Sequence, residues 1–426
     1  MKKILTLAVM LLSALVMVAC GEVNDITELK VNKAPDAYYA VGDVVPADQF
    51  TVDVVVNGIV QQAKSINDAA LTVTGLVNGN LDTSSVGKKT ITITYEGVSV
   101  TINYHVADFL VHNYNEFKTA MTQEQGLIVL MDDIVVEDSN GIVVPVGHTK
   151  TFELNGHAIV FTANLTGATA LITNRGNLTI QDATDINKDG SGTGLIANIA
   201  LNPDTDWDPN DPNDPFPTYA NNTITNLGVL TVESGRIENR TTASNAAAYV
   251  IDNNSGTADA LVIINGGKIA HGYNFAIRQF ANSATKLNKV TVNGGIVEGT
   301  RAVWLQLPGS TGIQKAELVV TGGVMKSISE NGFAFYSYTF GASFADTKIT
   351  ISGGTFVGYV GFTGGQPKNP TETVEITGGN FDDVFSYGAM TPFIKGGVFK
   401  VDPSDYVNSA THSVAQSNGT FVVSAK

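Results

Sequence analysis

Cysteine is nearly missing from this chain. Of 426 residues only Cys20 is one, so neither a disulfide framework nor a thiolate metal site can be built. Charge is sparse as well, at 15% of residues, with 40 acids against 25 bases. No Lys/Arg cluster offsets that acidic balance, which excludes a nucleic-acid role on electrostatic grounds. The six histidines, at 105, 112, 148, 157, 271 and 412, lack the paired spacing of a metal site, and no nucleophile elbow is present. Aromatics reach only 8%, whereas glycine is plentiful at 43 residues. Such a composition suits a turn-rich, β-rich protein, and the length calls for two domains or more.

The N-terminus, "MKKILTLAVMLLSALVMVAC", holds two lysines, an apolar run from Ile4 to Val18 and a small residue before the cysteine. The run is too short to cross a bilayer comfortably and reads as an export signal. "MVAC" resembles the lipobox of bacterial lipoproteins, which implies cleavage before Cys20 and lipid on its sulfur and amine. Residues 1–19 are then the signal peptide and 20–25 a lipidated tether, and the membrane is met through the anchor only. Removing Lys2 and Lys3 takes the formal net charge from −15 to −17. The expected location is the bacterial cell envelope, exposed at the surface.

Residues 26–106 contain "ITELKV", "QFTVDVVV", "LTVTG", "KKTITITY" and "VSVTINYHV". These are short, β-branched runs separated by turn-formers such as "VNG" and "YEGV", a rhythm that predicts a β-sandwich. "YYAVGDVV" followed by "SSVGKKTITITYEGVSVTINYHV" resembles the bacterial immunoglobulin-like domains of surface proteins. The segment has neither the Cys pair nor the Trp that pins an antibody-type core. In that family the module usually acts as a spacer or a weak adhesive unit.

From residue 107 the rhythm changes. "NYNEFKTAMTQEQG" places Phe117, Ala120 and Met121 at helical spacing after Asn115 as a cap, predicting one amphipathic helix that covers the end of a stack. Beyond it, glycine doublets end at Gly267, Gly295, Gly323, Gly354, Gly379 and Gly397, with steps of 28, 28, 31, 25 and 18 residues. Apolar residues alternate before each doublet, as in Val290 and Val292, and the second residue after it is apolar in every copy: Ile269, Val297, Met325, Phe356, Phe381, Phe399. A period in this range signals a repeat architecture. Uneven steps fit a right-handed parallel β-helix better than a propeller, because loops of any size can leave a corner. Residues 107–426 accordingly resemble the pectate-lyase-like β-helix superfamily, with an all-β sandwich array as the alternative. Some ten coils at about 4.8 Å each would make a rod on the order of 50 Å long.

Proteins resembling that superfamily bind or cleave extended polysaccharides along one long face. After each doublet a further strand follows: "NFAIRQF", "RAVWLQL", "GFAFYSYTF". Aligning Ala276, Ala302 and Ala334 sends Ile277, Val303 and Phe335 inward and leaves Arg278, Trp304 and Tyr336 as an outward ladder. Phe280, Gln306 and Tyr338 fall two residues further on the same face, and Tyr359 and Tyr387 are candidates to extend it. A row of rings beside an arginine suits sugar stacking, so Arg278, Trp304, Tyr336 and Tyr338 are the candidate glycan-binding residues.

Catalytic residues cannot be assigned from the sequence. Glu298, Arg301, Glu330, Asp382 and Asp383 flank the ladder without forming the superfamily's catalytic signature, and they read as solvated loop charges before they read as catalytic groups. No cofactor is expected beyond calcium, for which "DINKDGSG" offers Asp185, Asn187 and Asp189 at alternate positions before Gly190, resembling the start of an EF-hand loop. Ile196 stands where the bidentate Glu belongs, so an Asx-rich turn is the other reading. "NPDTDWDPNDPNDPFP", Asn202 to Pro217, offers five further aspartates in a stiff loop. The leading expectation is a lipid-anchored, non-catalytic adhesin that binds an extracellular polysaccharide or a host cell-surface glycan. The alternative is a polysaccharide lyase or glycoside hydrolase on the same rod.

Overall fold

The computed structural model describes residues 26–136, 138, 140–161, 170–198, 221–240, 248–281, 283–307, 314–339, 345–362, 372–387 and 391–426. Cys20, the signal and tether segments and the Asn202–Pro217 loop lie outside them. The chain divides into two compact units, Met1–Asp108 and Phe109–Lys426. With 58% strand against 4% helix it is all-β.

The first unit packs a three-stranded antiparallel sheet (Ile26–Lys33, Thr51–Val56, Ile59–Ser65) with a four-stranded one (Tyr38–Ala40, Val98–Ala107, Gly87–Tyr95, Thr72–Thr74). Alternation puts Val52, Ile91, Ile93, Ile102, Tyr104 and Val106 on the inner faces, where they are buried. The "YEGV" turn joins two of these strands through Glu96 at φ 46° and Gly97 at φ 86°, left-handed backbone that matches the twist of a tight hairpin.

The second unit is a parallel β-solenoid of about 7 turns. Its first-face sheet stacks ten strands, and in the last coils the second- and third-face strands merge into one, as in Thr355–Phe362 and Asn380–Ser386. Each full coil has three strands, for example Leu287–Val292, Ile296–Gly299 and Arg301–Leu307 on the first, second and third faces. Each strand pairs in parallel with its counterpart in the next coil. The doublet is the corner between the first and second faces. A Cβ on Gly294 would lie 2.4 Å from the Asn265 carbonyl oxygen of the coil below, and Gly295 sits at φ +71°. Neither position admits an ordinary side chain, which is why the pair recurs.

Inside, the stacked apolar residues run in columns. The second-face column Ile269, Val297, Met325, Phe356, Phe381, Phe399 is buried throughout, and its last three rings stack 4.7 and 4.8 Å apart. Each such side chain contributes on the order of 2 kcal/mol of burial free energy. The helix Tyr114–Met121 seals the first coil, with Phe117 against Phe152 at 5.2 Å and Ala120 buried. Its cap is Asn113, whose side chain accepts from the backbone N–H groups of Asn115 and Glu116, rather than Asn115 itself. At the other end of this helix the fully buried Lys150 donates to the Ala120 carbonyl at 2.9 Å, a cation placed where the helix dipole is negative.

Candidate functional site

The third face carries the candidate residues. Strands Phe275–Phe280, Arg301–Leu307 and Phe333–Thr339 pair in parallel, with Arg278 opposite Trp304, Trp304 opposite Tyr336, and Gln306 opposite Tyr338. Ile277, Val303 and Phe335 point into the core and are fully buried. The column continues from Tyr336 through Gly361 to Phe385. Tyr359 therefore does not extend the ladder; it stands in the adjacent column, which reads Phe275, Arg301, Phe333, Tyr359, Asp383.

The ladder is not an open row of rings. Trp304 keeps only 9% of its surface, covered by Phe275 at 5.0 Å and Tyr249 at 6.4 Å, so it supports the patch from beneath. Arg278 is occupied as well: its Nε and one Nη grip Asp252 at 2.8 and 2.6 Å, and its guanidinium lies over Tyr249 and Phe280. Burial pulls the Arg278 pKa down, and the Asp252 carboxylate outweighs that and raises it. The half-buried rings lie further along, where Phe333 packs on Tyr336 at 4.4 Å and Tyr387, 59% exposed, stands edge-on to Tyr336 at 6.3 Å. Gly361 makes their closure possible, since a Cβ there would come within 3.0 Å of Phe333 and Phe385 and 3.2 Å of Tyr336.

Arg301 lies within this patch. Its guanidinium carbon is 4.4 Å from the Phe275 ring centre, 5.4 Å from Tyr336, 5.8 Å from Phe333 and 5.9 Å from Trp304. Burial among the rings lowers its pKa. Its Nε and the Trp304 Nε1 are both buried without a hydrogen-bond partner.

Tyr359 links the patch to a cleft of about 460 Å³ that is also lined by Glu330, Asp382, Asp383 and Lys400. Asp382 is engaged with Lys400 at 2.6 Å and the Gly358 N–H at 2.9 Å, whereas burial raises the pKa of Asp383. Glu298 lies elsewhere, between Lys268 and Lys326 in a second cleft of about 280 Å³ beside His271. His271 accepts at Nδ1 from the N–H groups of Tyr273 and Asn274, and burial depresses its pKa to about 4. It is a neutral corner residue near neutral pH, not a titrating one.

Residues 32–106 match the family model described as Bacterial Ig-like domain (group 3). That segment is a bacterial Ig-like domain. No curated protein and no solved structure matches the chain. Within the Ig-like domain, Tyr39 and Tyr104 pack edge-on at 5.8 Å. The Tyr104 hydroxyl donates to the Asp82 carbonyl at 3.1 Å, so tyrosines occupy the core of a domain that lacks Cys and Trp.

In the structure Asp185 holds backbone. Its carboxylate accepts from the backbone N–H groups of Asp189, Gly190 and Gly235 at 3.2, 3.0 and 2.8 Å, tying the turn to the next corner. Asn187 and Asp189 are exposed around it, and Asp189 accepts from the Ser191 N–H. Among the described residues no group of three His, Cys, Asp or Glu is placed to hold a metal ion.

A buried amide ladder had a sequence signal of its own. Asn174 donates to Asn226 at 2.8 Å and Asn226 to Asn253 at 2.9 Å, while each Nδ2 also reaches backbone carbonyls at the same corner. Gln279, next in the column, donates to the carbonyls of Asn288 and Glu317. "ITN", "ITN", "IDN" and "IRQ" are its trace in the sequence.

Proposed function

We propose that this is a lipid-anchored bacterial surface protein in which the Ig-like domain is a spacer and the β-helix binds an extended glycan, as an adhesin. The observation that carries the reading is the run of half-buried rings on the third face, Phe333, Tyr336, Tyr359 and Phe385 with Tyr387, drawn from successive coils. Flat apolar rings partly open to solvent suit the apolar faces of sugars, and the spacing of coils suits a chain of them. The lipobox-like "MVAC" supports anchoring through Cys20 at the cell envelope. An array of immobilised glycans probed with the mature chain tests the binding; retention on none of them would overturn it.

The cleft beside Tyr359 favours a second reading, a polysaccharide lyase or glycoside hydrolase. Asp383, its pKa raised by burial next to Asp382 and Glu330, is the kind of group that general acid catalysis needs. Release of reducing ends or unsaturated uronates from glycans that bind would establish that reading. Binding without release leaves the adhesin.

A further inference from the structure

We infer that Arg301 receives an anionic group, a carboxylate or a sulfate, carried by the bound glycan; this rests on the glycan reading above. Two arginines stand one coil apart on the same face, and the fold treats them differently. Arg278 is clasped by the Asp252 carboxylate and stacked on two rings. Arg301 is ringed by Phe275, Trp304, Phe333 and Tyr336, and it makes no hydrogen bond or ion pair with any described residue. Aromatic faces attract a guanidinium but offer no acceptor to its five N–H donors. A partly buried cation left without acceptors is costly, and such sites are completed by an opposite charge.

Among the described residues no carboxylate is paired with Arg301. Asp252 is taken by Arg278, and Asp383 stands three coils along the Arg301 column, about 14 Å away at the strand spacing. The stretches 241–247, 308–313, 340–344, 363–371 and 388–390, which adjoin this face in sequence, contain no Asp or Glu, and the aspartates of 199–220 precede the strand Asn222–Asn226, three coils before that of Arg301. With no acceptor among the described residues, the group that completes the site is taken from a ligand. A carboxylate or sulfate can meet the guanidinium through paired N–H···O bonds, while the sugar bearing it lies on Tyr336 and Tyr387. Since the protein as a whole carries a formal charge of −15, long-range attraction does not recruit an anion, and recognition depends on this one local cation.

The test compares binding of the mature chain to matched pairs of immobilised glycans: alginate and its carboxyl-reduced form, dextran sulfate and dextran, and further acidic glycans with their neutralised counterparts. We expect at least one acidic member to be held about tenfold or more tightly than its neutral partner. Arg301→Gln should bring that member down to the neutral level, and Arg301→Lys should restore only part of the difference because the paired geometry is lost. The pair that shows the effect tells carboxylate from sulfate. Equal binding of both members of every bound pair, or unchanged binding by a folded Arg301→Gln protein, overturns the inference and leaves the glycan reading standing. Binding to no glycan of either kind overturns both. Should Arg301→Gln fail to fold, the wild-type comparison between acidic and neutral partners decides alone.

Discussion

Two halves of the third face share one backbone and differ in chemistry. From Asn174 to Gln279 the inner corner position holds amides that bond to one another or to backbone carbonyls, and the outward positions are Thr173, Thr225, Asp252 and Arg278. From Leu305 onward the inner positions are Leu305, Ser337, Phe362 and Ser386, and the outward positions become Trp304, Tyr336, Gly361 and Phe385. The same corners and first-face columns hold both halves in register, so register does not distinguish them. In the first half polarity is turned inward and its amide N–H groups are bonded, although Asn174 Oδ1 and Gln279 Oε1 lack a partner, and the one arginine is paired with Asp252. In the second, rings are turned outward and Arg301 has no acceptor among the described residues. Function is better sought in the half that leaves a cation unpaired among the described residues.

The sharpest way to break this comparison is to remove what the halves share. Gly294→Val would drive a Cβ into the Asn265 carbonyl, a contact between backbones that no rotamer relieves. We expect a loss of about 4 kcal/mol or more, or no folded protein, read from the urea midpoint of the mature chain. An unchanged midpoint would show that the corners do not set the register.

The next effect concerns the other corner, where Asn198, Asn239 and His271 share a column. The folded His271 pKa of about 4 lies below the ordinary 6.5, so between those values the unfolded chain binds a proton that the folded one refuses. Stability is complete above pH 6.5 and falls as the pH drops toward 4, by up to about 3 kcal/mol. His271→Asn, which repeats the residue found one coil earlier, should flatten that slope in denaturation measured across the window. A slope of equal size in the variant would assign it to other groups.

A smaller effect separates the halves directly. Asn226→Leu places in the amide ladder the residue type that Leu305 supplies to the same column further along. It removes the acceptor of Asn174 and the donor to Asn253 and to two carbonyls, at a cost of about 2 kcal/mol. Neutrality by denaturant titration would mean that the two interiors are interchangeable and the contrast is cosmetic.

What was legible in the sequence follows from how often a physical demand repeats. The doublets and the column from Ile269 to Phe399 declare themselves because each coil imposes the same steric need. The shared alanines likewise align Arg278, Trp304 and Tyr336 as the structure pairs them. Exposure was not legible. Trp304 is covered by Tyr249 and Phe275, which come from neighbouring coils, and no spacing within a strand reports that. Asp185 sits at calcium-loop spacing, which does not report the three backbone N–H groups it faces, one from a distant corner. The amides at 174, 226 and 253 leave a recurring trace, yet their burial is masked by residue type, since asparagine ordinarily reads as solvated. Arg301 was visible only as a charge beside the ladder; its lack of a partner is a property of its surroundings.

The smallest expected effect on stability is also the most discriminating for function. Tyr387 is 59% exposed and touches the patch at its rim, edge-on to Tyr336 and Phe385. Its ring adds little to the core, so Tyr387→Ala should shift stability by no more than about 0.5 kcal/mol, as for surface substitutions in general. If the outward rings are a sugar platform, removing this one should weaken retention on a bound glycan several-fold, because base-like stacking of a flat ligand on one ring is worth about 1 kcal/mol or more. Retention unchanged on the glycan that wild type binds would leave Tyr387 outside the contact surface. It would also confine the difference between the two halves of the third face to packing, and move the search for the ligand to the cleft lined by Asp383.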